Sequence, residues 1–134
     1  MADIESVIRH ILIADDVRRN TNDPSKLDVF GFSDSLRLSS DVVFPYCHPR
    51  LAVLVSIAGG RGSARVRVAV VHADSDELAF RTVEQAFPLG DDPLAVRLLI
   101  FRIRDMIFPQ PGLYWVQFWY NDKVIGQHPF NVKG

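Results

Sequence analysis

Only one cysteine, Cys47, stands in the 134 residues, so neither an intrachain disulfide nor a thiolate zinc cluster can form. Charge of one sign is also missing: 15 basic and 16 acidic side chains leave a net −1. That balance gives no electrostatic reason to expect nucleic acid or an anionic membrane as partner. Long apolar runs are absent near the start, where the longest, Ile11 to Ala14, is far too short to span a bilayer. The opening "MADIESVIRHILIADDVRRN" lacks the charged start, long apolar stretch and small-residue cleavage site of a secretory signal. The expected compartment is the cytoplasm.

Catalytic signatures are equally scarce. "GGRG" at 59–62 has neither the lysine nor the Ser/Thr of a phosphate-binding loop and precedes a strand pattern, so it reads as a hairpin loop. No nucleophile elbow occurs. Cys47, in "YCHP", reads as a half-buried small residue, since nothing around it stabilises a thiolate. His10, His48, His72 and His128 are scattered, with no metal-pair spacing. The Asp15–Asp16 and Asp91–Asp92 pairs read as solvated loop charges, because adjacent carboxylates point apart in extended chain. Asp74 and Asp76 fit turn chemistry. No cofactor or metal is expected, and the chain does not read as an enzyme.

What is present is a series of short apolar runs separated by turn residues, the pattern of an all-β sandwich. The length fits one domain over residues 1–134. Val7 to Ala14 reads as a strand, "DDVRRNTNDPSK" as an exposed loop, and "LDVFGF" as a strand whose Gly31 marks a bulge or a close backbone approach. Residues 33–50 read as a long connection. "LAVLVSIA" is the third strand, and "ARVRVAVVHA" alternates Arg65 and Arg67 against Val66, Val68 and Val70 with the period of a half-buried strand. "LAFRTVEQAF" reads as one further strand, and "LAVRLLIFRIRDM" as another with Arg102 and Arg104 on one face.

The closing stretch, residues 108–132, is the most informative. "PQPG" is a turn signal, after which Tyr114, Val116, Phe118 and Tyr120 share one face and Leu113, Trp115, Gln117 and Trp119 the other. Asn121 and Asp122 suit the centre of a tight hairpin turn, since both tolerate left-handed geometry. A Tyr two residues after a Gly at the start of a late strand resembles the tyrosine corner of immunoglobulin-like sandwiches.

"ILIADDVRRN…SKLDVFGFSD", "FPYCHPRLAVLVSI", "VRVAVVHADSDEL" and "FRIRDMIFPQPGLYWVQFWYNDKVIGQHPFNV" together resemble a family of small bacterial domains of unknown function. The most specific part is the ending, which follows the pattern FPxPGxYxVxFxxxxxxI. The resemblance covers nearly the whole chain. It implies an immunoglobulin-like β-sandwich, and it carries over no activity and no binding residue; with the apolar runs above, the expected fold is a single immunoglobulin-like antiparallel β-sandwich of about seven to nine strands.

The residues themselves point to a core containing Val53, Val55, Val66, Val68, Val70, Tyr114, Val116 and Phe118. They also point to a contact surface built on Trp115 and Trp119, with Arg65, Arg67, Arg102 and Arg104 joining them if their strands share the tryptophan sheet. Trp and Arg dominate interface hot spots. The expected function is therefore non-catalytic: an interaction or accessory domain that pairs with another protein or with itself as a homodimer. Two rival readings are a carbohydrate- or small-ligand-binding module using the same aromatics, and a small enzyme with dispersed residues around His48, His72 or Asp15–Asp16. The ordinary alternative for the surface is that arginine stems simply cover the indoles of a solvated sheet face.

Overall fold

The computed structural model describes residues 6–60, 62–92 and 94–133, which form strands and turns and no helix. Among these residues no helix is therefore long and apolar enough to cross a membrane. Eleven strands follow in chain order: β1 (Ser6–Ala14), β2 (Asp16–Arg19), β3 (Leu27–Phe30), β4 (Ser35–Arg37), β5 (Tyr46–Gly59), β6 (Gly62–His72), β7 (Leu78–Arg81), β8 (Gln85–Gly90), β9 (Val96–Phe108), β10 (Gly112–Tyr120) and β11 (Lys123–Lys133).

Three of them make a sheet in the order β1-β5-β9. A larger sheet runs β4-β11-β10-β6-β7, with β8 pairing further along β6. Pairing is antiparallel throughout, except that β4 lies parallel to β11.

Period-2 alternation explains how the two sheets share one core. Leu51, Val53, Val55 and Ile57 of β5 and Leu99, Phe101 and Ile103 of β9 face Val66, Val68 and Val70 of β6 and Tyr114, Val116 and Phe118 of β10, in one buried cluster. All eight core residues expected from sequence are buried. Fully burying a Val or Phe side chain contributes roughly 1.5–3 kcal/mol each, so this cluster is the main source of stability. The expected turn chemistry also appears: Asn121 and Asp122 sit at φ 47° and 66° between β10 and β11, the left-handed pair that a two-residue hairpin requires.

Three expectations need correction, and together they raise the strand count above seven to nine. The segment after Ala14 is not an exposed loop: β2 and β3 pair as a hairpin. That hairpin lies on the outer face of the three-stranded sheet, where Val17, fully buried, and Leu27 pack on Ala52 and Leu54. The 33–50 connection contains β4 and the first residues of β5, which starts at Tyr46 rather than Leu51. "LAFRTVEQAF" is two strands. β7 pairs with Ala69–Val71 and β8 with Gly62–Val66. Between them the Thr82 hydroxyl accepts the hydrogen bond that the Val68 N–H would give to a partner strand.

Candidate functional site

The tryptophans point outward, as the alternation predicts, from the larger sheet. β10 places Trp115 opposite Val71 of β6 and Pro129 of β11, and Val71 in turn opposes Leu78 of β7. Leu78, Val71, Trp115 and Pro129 thus form one apolar row across four strands. Leu113, two residues along β10, adds to it. Leu78 is 49% exposed and Leu113 37%, whereas both indoles are half-buried by their neighbours on the sheet.

Further along the same face, beyond Gln117, lies an ionic group built on the turn after β10. The Arg67 guanidinium stacks 4.3 Å over the Trp119 ring and donates to Glu84 at 2.9 Å. Arg65 donates to Asp122 at 2.8 Å, and its backbone N–H donates to the Asn121 side chain. The Trp119 indole N–H donates to Gln117 at 3.3 Å. Arginine stems covering an indole is therefore what occurs at Trp119, and both arginines are already matched by carboxylates.

Arg102 and Arg104 are not part of that surface. They project from β9, in the other sheet, on the opposite outer face of the molecule. Alternation fixes which side of its own sheet a residue faces, but it does not say which sheet the strand joins. There they line a cleft of about 270 Å³ with Asp15, Asp16, Arg18 and Arg50, between the β2–β3 hairpin and the sheet. Arg50 of β5 lies directly opposite Arg104 in the ladder, and Arg102 donates to the Val17 carbonyl at 2.9 Å, tying the hairpin down. Arg18 and Asp16 pair at 2.7 Å. The Arg18 hydrogen bond, with help from the Val17 N–H and the charge of Arg50, holds the Asp16 carboxyl below its usual range.

Sequence reasoning singled out neither Arg18 nor Arg50. A signal existed for Arg50, which shares strand parity with Ala52 and Leu54 in "RLAVLVS". For Arg18 none did, because the hairpin itself was not recognised.

The remaining candidates sort plainly. His72 is buried, with its ring nitrogens near the Pro111 carbonyl and the Ser75 hydroxyl and its edge against Tyr114, so it is part of the packing. His48 contacts the Tyr46 hydroxyl at 3.1 Å, and burial pushes its pKa down against the opposing pull of Asp15. His128 meets Asp34 at 2.7 Å, and Cys47 is exposed. Asp15 lies against the backbone at Gly31: a Cβ there would come within 2.2 Å of its carboxylate oxygen, the close approach expected at this glycine. Among the described residues no group of three His, Cys, Asp or Glu side chains is placed to hold a metal ion.

Residues 9–133 match the model of a family of unknown function, DUF6941, and the chain belongs to that family. No curated protein matches it. Among solved structures it is similar to part of the Pseudomonas fluorescens alkylpurine DNA glycosylase AlkC bound to DNA containing an abasic-site analogue, with 14% identity and a TM-score of 0.61 over 97% of this chain and 31% of that one. It is also similar to part of a Listeria innocua β-glucosidase in complex with isofagomine, with 13% identity and a TM-score of 0.50 over 98% of this chain and 16% of that one. The chain thus spans less than a third of either protein, and at such identity the likeness concerns the fold alone.

Proposed function

We propose that this domain is a non-catalytic, cytoplasmic, immunoglobulin-like β-sandwich that associates through the outer face of its larger sheet with a second copy of itself. The fold reading draws on topology. The orders β1-β5-β9 and β11-β10-β6-β7 correspond to strands A-B-E and G-F-C-C′ of such sandwiches. It draws also on Tyr114: where the chain passes from β9 in one sheet to β10 in the other, its hydroxyl donates to the Gln110 carbonyl four residues upstream. That is the hydrogen bond of a tyrosine corner.

The observation carrying the functional reading is the apolar row Leu78–Val71–Trp115–Pro129, which leaves aromatic and aliphatic surface on an open sheet face. A second copy suits it because the ionic group further along the same face holds two arginines and two carboxylates, so a two-fold-related face meets both signs.

Light scattering after size exclusion, over a range of concentrations, tests this. The wild type is expected as a dimer at high concentration, and the Trp115→Ser/Trp119→Ser variant as a monomer with an unchanged circular dichroism spectrum. Leu78→Glu, at a more exposed position on the same row, repeats the test should the double variant unfold. A wild type that is monomeric throughout, or a Leu78→Glu variant that remains dimeric, refutes it.

A further inference from the structure

The cleft on the opposite face is charged in a way the fold does not explain. Its lining holds four arginines and two aspartates, an excess of two positive charges in a chain whose net charge is −1. Asp16 is engaged by Arg18, and the Asp15 carboxylate rests against Gly31. Arg102 spends one N–H on the Val17 carbonyl. Arg50 and Arg104 remain: the charge of Arg50 also acts on Asp16, but neither arginine makes a salt bridge among the described residues.

Those two are direct cross-strand neighbours in the β5–β9 ladder. Like charges in directly opposed positions destabilise a sheet, where an opposite-charge pair would contribute roughly 0.2–1 kcal/mol. The arrangement becomes favourable when an anion sits between the guanidinium groups, because each planar fork offers parallel N–H donors to a tetrahedral oxyanion.

We propose that the cleft between the β2–β3 hairpin and the β5–β9 strands is a binding site for a phosphate dianion, held by Arg50 and Arg104 with Arg102 beside them. The excess of two charges matches a dianion better than a single carboxylate. A volume of about 270 Å³ lies just below the range of small-molecule sites, so a phosphate together with a small ester substituent is the fitting size. Arg18, fixed by Asp16 on the hairpin, forms the opposite wall. The hairpin covers Ala52 and Leu54 and forms one side of the cleft, while Arg50 and Arg104 stay exposed at its mouth, where an anion from solvent can reach them.

Thermal unfolding and isothermal titration with inorganic phosphate and with O-phosphoserine, against sodium chloride at matched ionic strength, test the site. Both phosphates are expected to raise the melting temperature by a few degrees while chloride does not. Arg104→Gln is expected to weaken phosphate binding at least roughly tenfold, a loss of about 1.4 kcal/mol. In the absence of phosphate it should leave the melting temperature unchanged or higher, since a like-charge pair has been relieved. Arg50→Gln serves as the second variant and should do the same, whereas Arg65→Gln on the other face should leave phosphate binding intact. Tighter binding of phosphoserine than of phosphate would assign a phosphorylated side chain or metabolite as the ligand class, and the reverse order the free ion. Phosphate that stabilises no more than chloride, or phosphate binding that survives both Arg104→Gln and Arg50→Gln, overturns the proposal.

Discussion

Replacing Tyr114 by Phe removes one oxygen atom from the largest fully buried side chain of the core. Tyr114 has 0% exposure, and its ring meets Phe108 edge-on at 5.2 Å and His72 at 5.0 Å. Phenylalanine keeps both contacts and nearly all of the volume, so no cavity opens and the apolar contribution is preserved. What disappears is the hydroxyl that donates to the Gln110 carbonyl and accepts, at 3.4 Å, from the Gln110 N–H. A typical hydrogen bond contributes roughly 0.5–1.5 kcal/mol, and a buried group left without its partner costs roughly 1–3 kcal/mol. Gln110 is half-buried, so water can reach it in part and the lower half of that range applies.

The expected loss is therefore about 1–2 kcal/mol, or a fall in melting temperature of roughly 3–8 °C for a domain of this size. Chemical denaturation should show a lower midpoint with an unchanged slope. A second readout comes from alkaline pH. Burial raises the Tyr114 pKa above the ordinary value of 10.0. The folded state thus favours the neutral phenol, and this contribution is fully present below about 10 and lost as pH rises through the folded-state value. The wild type should lose stability in that window more steeply than Tyr114→Phe. A variant within about 0.5 kcal/mol of wild type, the usual scatter of surface changes, with the same alkaline profile, would refute the tyrosine-corner reading.

Val17→Ala deletes two buried methyl groups between the hairpin and the three-stranded sheet, and the expected cost is about 1–3 kcal/mol by denaturant titration; no change would mean that the hairpin is not packed there. His48 carries a pKa lowered chiefly by burial, so the folded state favours the neutral ring. Its contribution is complete above the unfolded value of about 6.5 and is lost as pH falls through the folded value. The difference in melting temperature between wild type and His48→Gln, followed from pH 7.5 downwards, should move against the wild type through that window, and a difference independent of pH would count against the assignment.

The parts of this fold that were legible in the sequence are those governed by local periodicity. In β10 every second residue from Tyr114 to Tyr120 is buried, and residues 51–57 and 64–70 place their valines inward by the same rule. The Asn121–Asp122 turn follows from the tolerance of those residues for positive φ. The illegible parts depend on pairing at a distance. Nothing local distinguishes Arg102 and Arg104, on β9, from Arg65 and Arg67, on β6, since both pairs alternate with apolar residues. Their difference lies in the sheet each strand joins, which long-range partners decide. The hairpin of β2 and β3 was hidden for another reason: with Val17 and Leu27 as its contacts to the sheet, it carries almost no periodic signal.

The two outer faces of the molecule have been finished in different ways, and the difference separates the two proposed sites. A three-stranded sheet whose outward residues include Ala52, Leu54 and Ile100 is too apolar on its outer side to stand in water uncovered, and the β2–β3 hairpin supplies the cover. It does so only in part: Leu98 and Val96, further along β9, remain 48% and 62% exposed. At the other end of the hairpin the strand positions turn from apolar to arginine. The chain could have ended the covered patch there with neutral polar residues at no cost to the core, since Arg50 and Arg104 touch only the cleft side of the sheet. Instead it places two exposed arginines opposite one another, beside the hairpin that Arg102 ties down. The larger sheet shows the contrary arrangement, with Arg65 and Arg67 matched to carboxylates and an apolar row on the same face. Mutations on one face should therefore leave the other's behaviour untouched. Phosphate binding should survive Trp115→Ser/Trp119→Ser, and self-association should survive Arg104→Gln; coupling between them would mean that the two faces belong to one site.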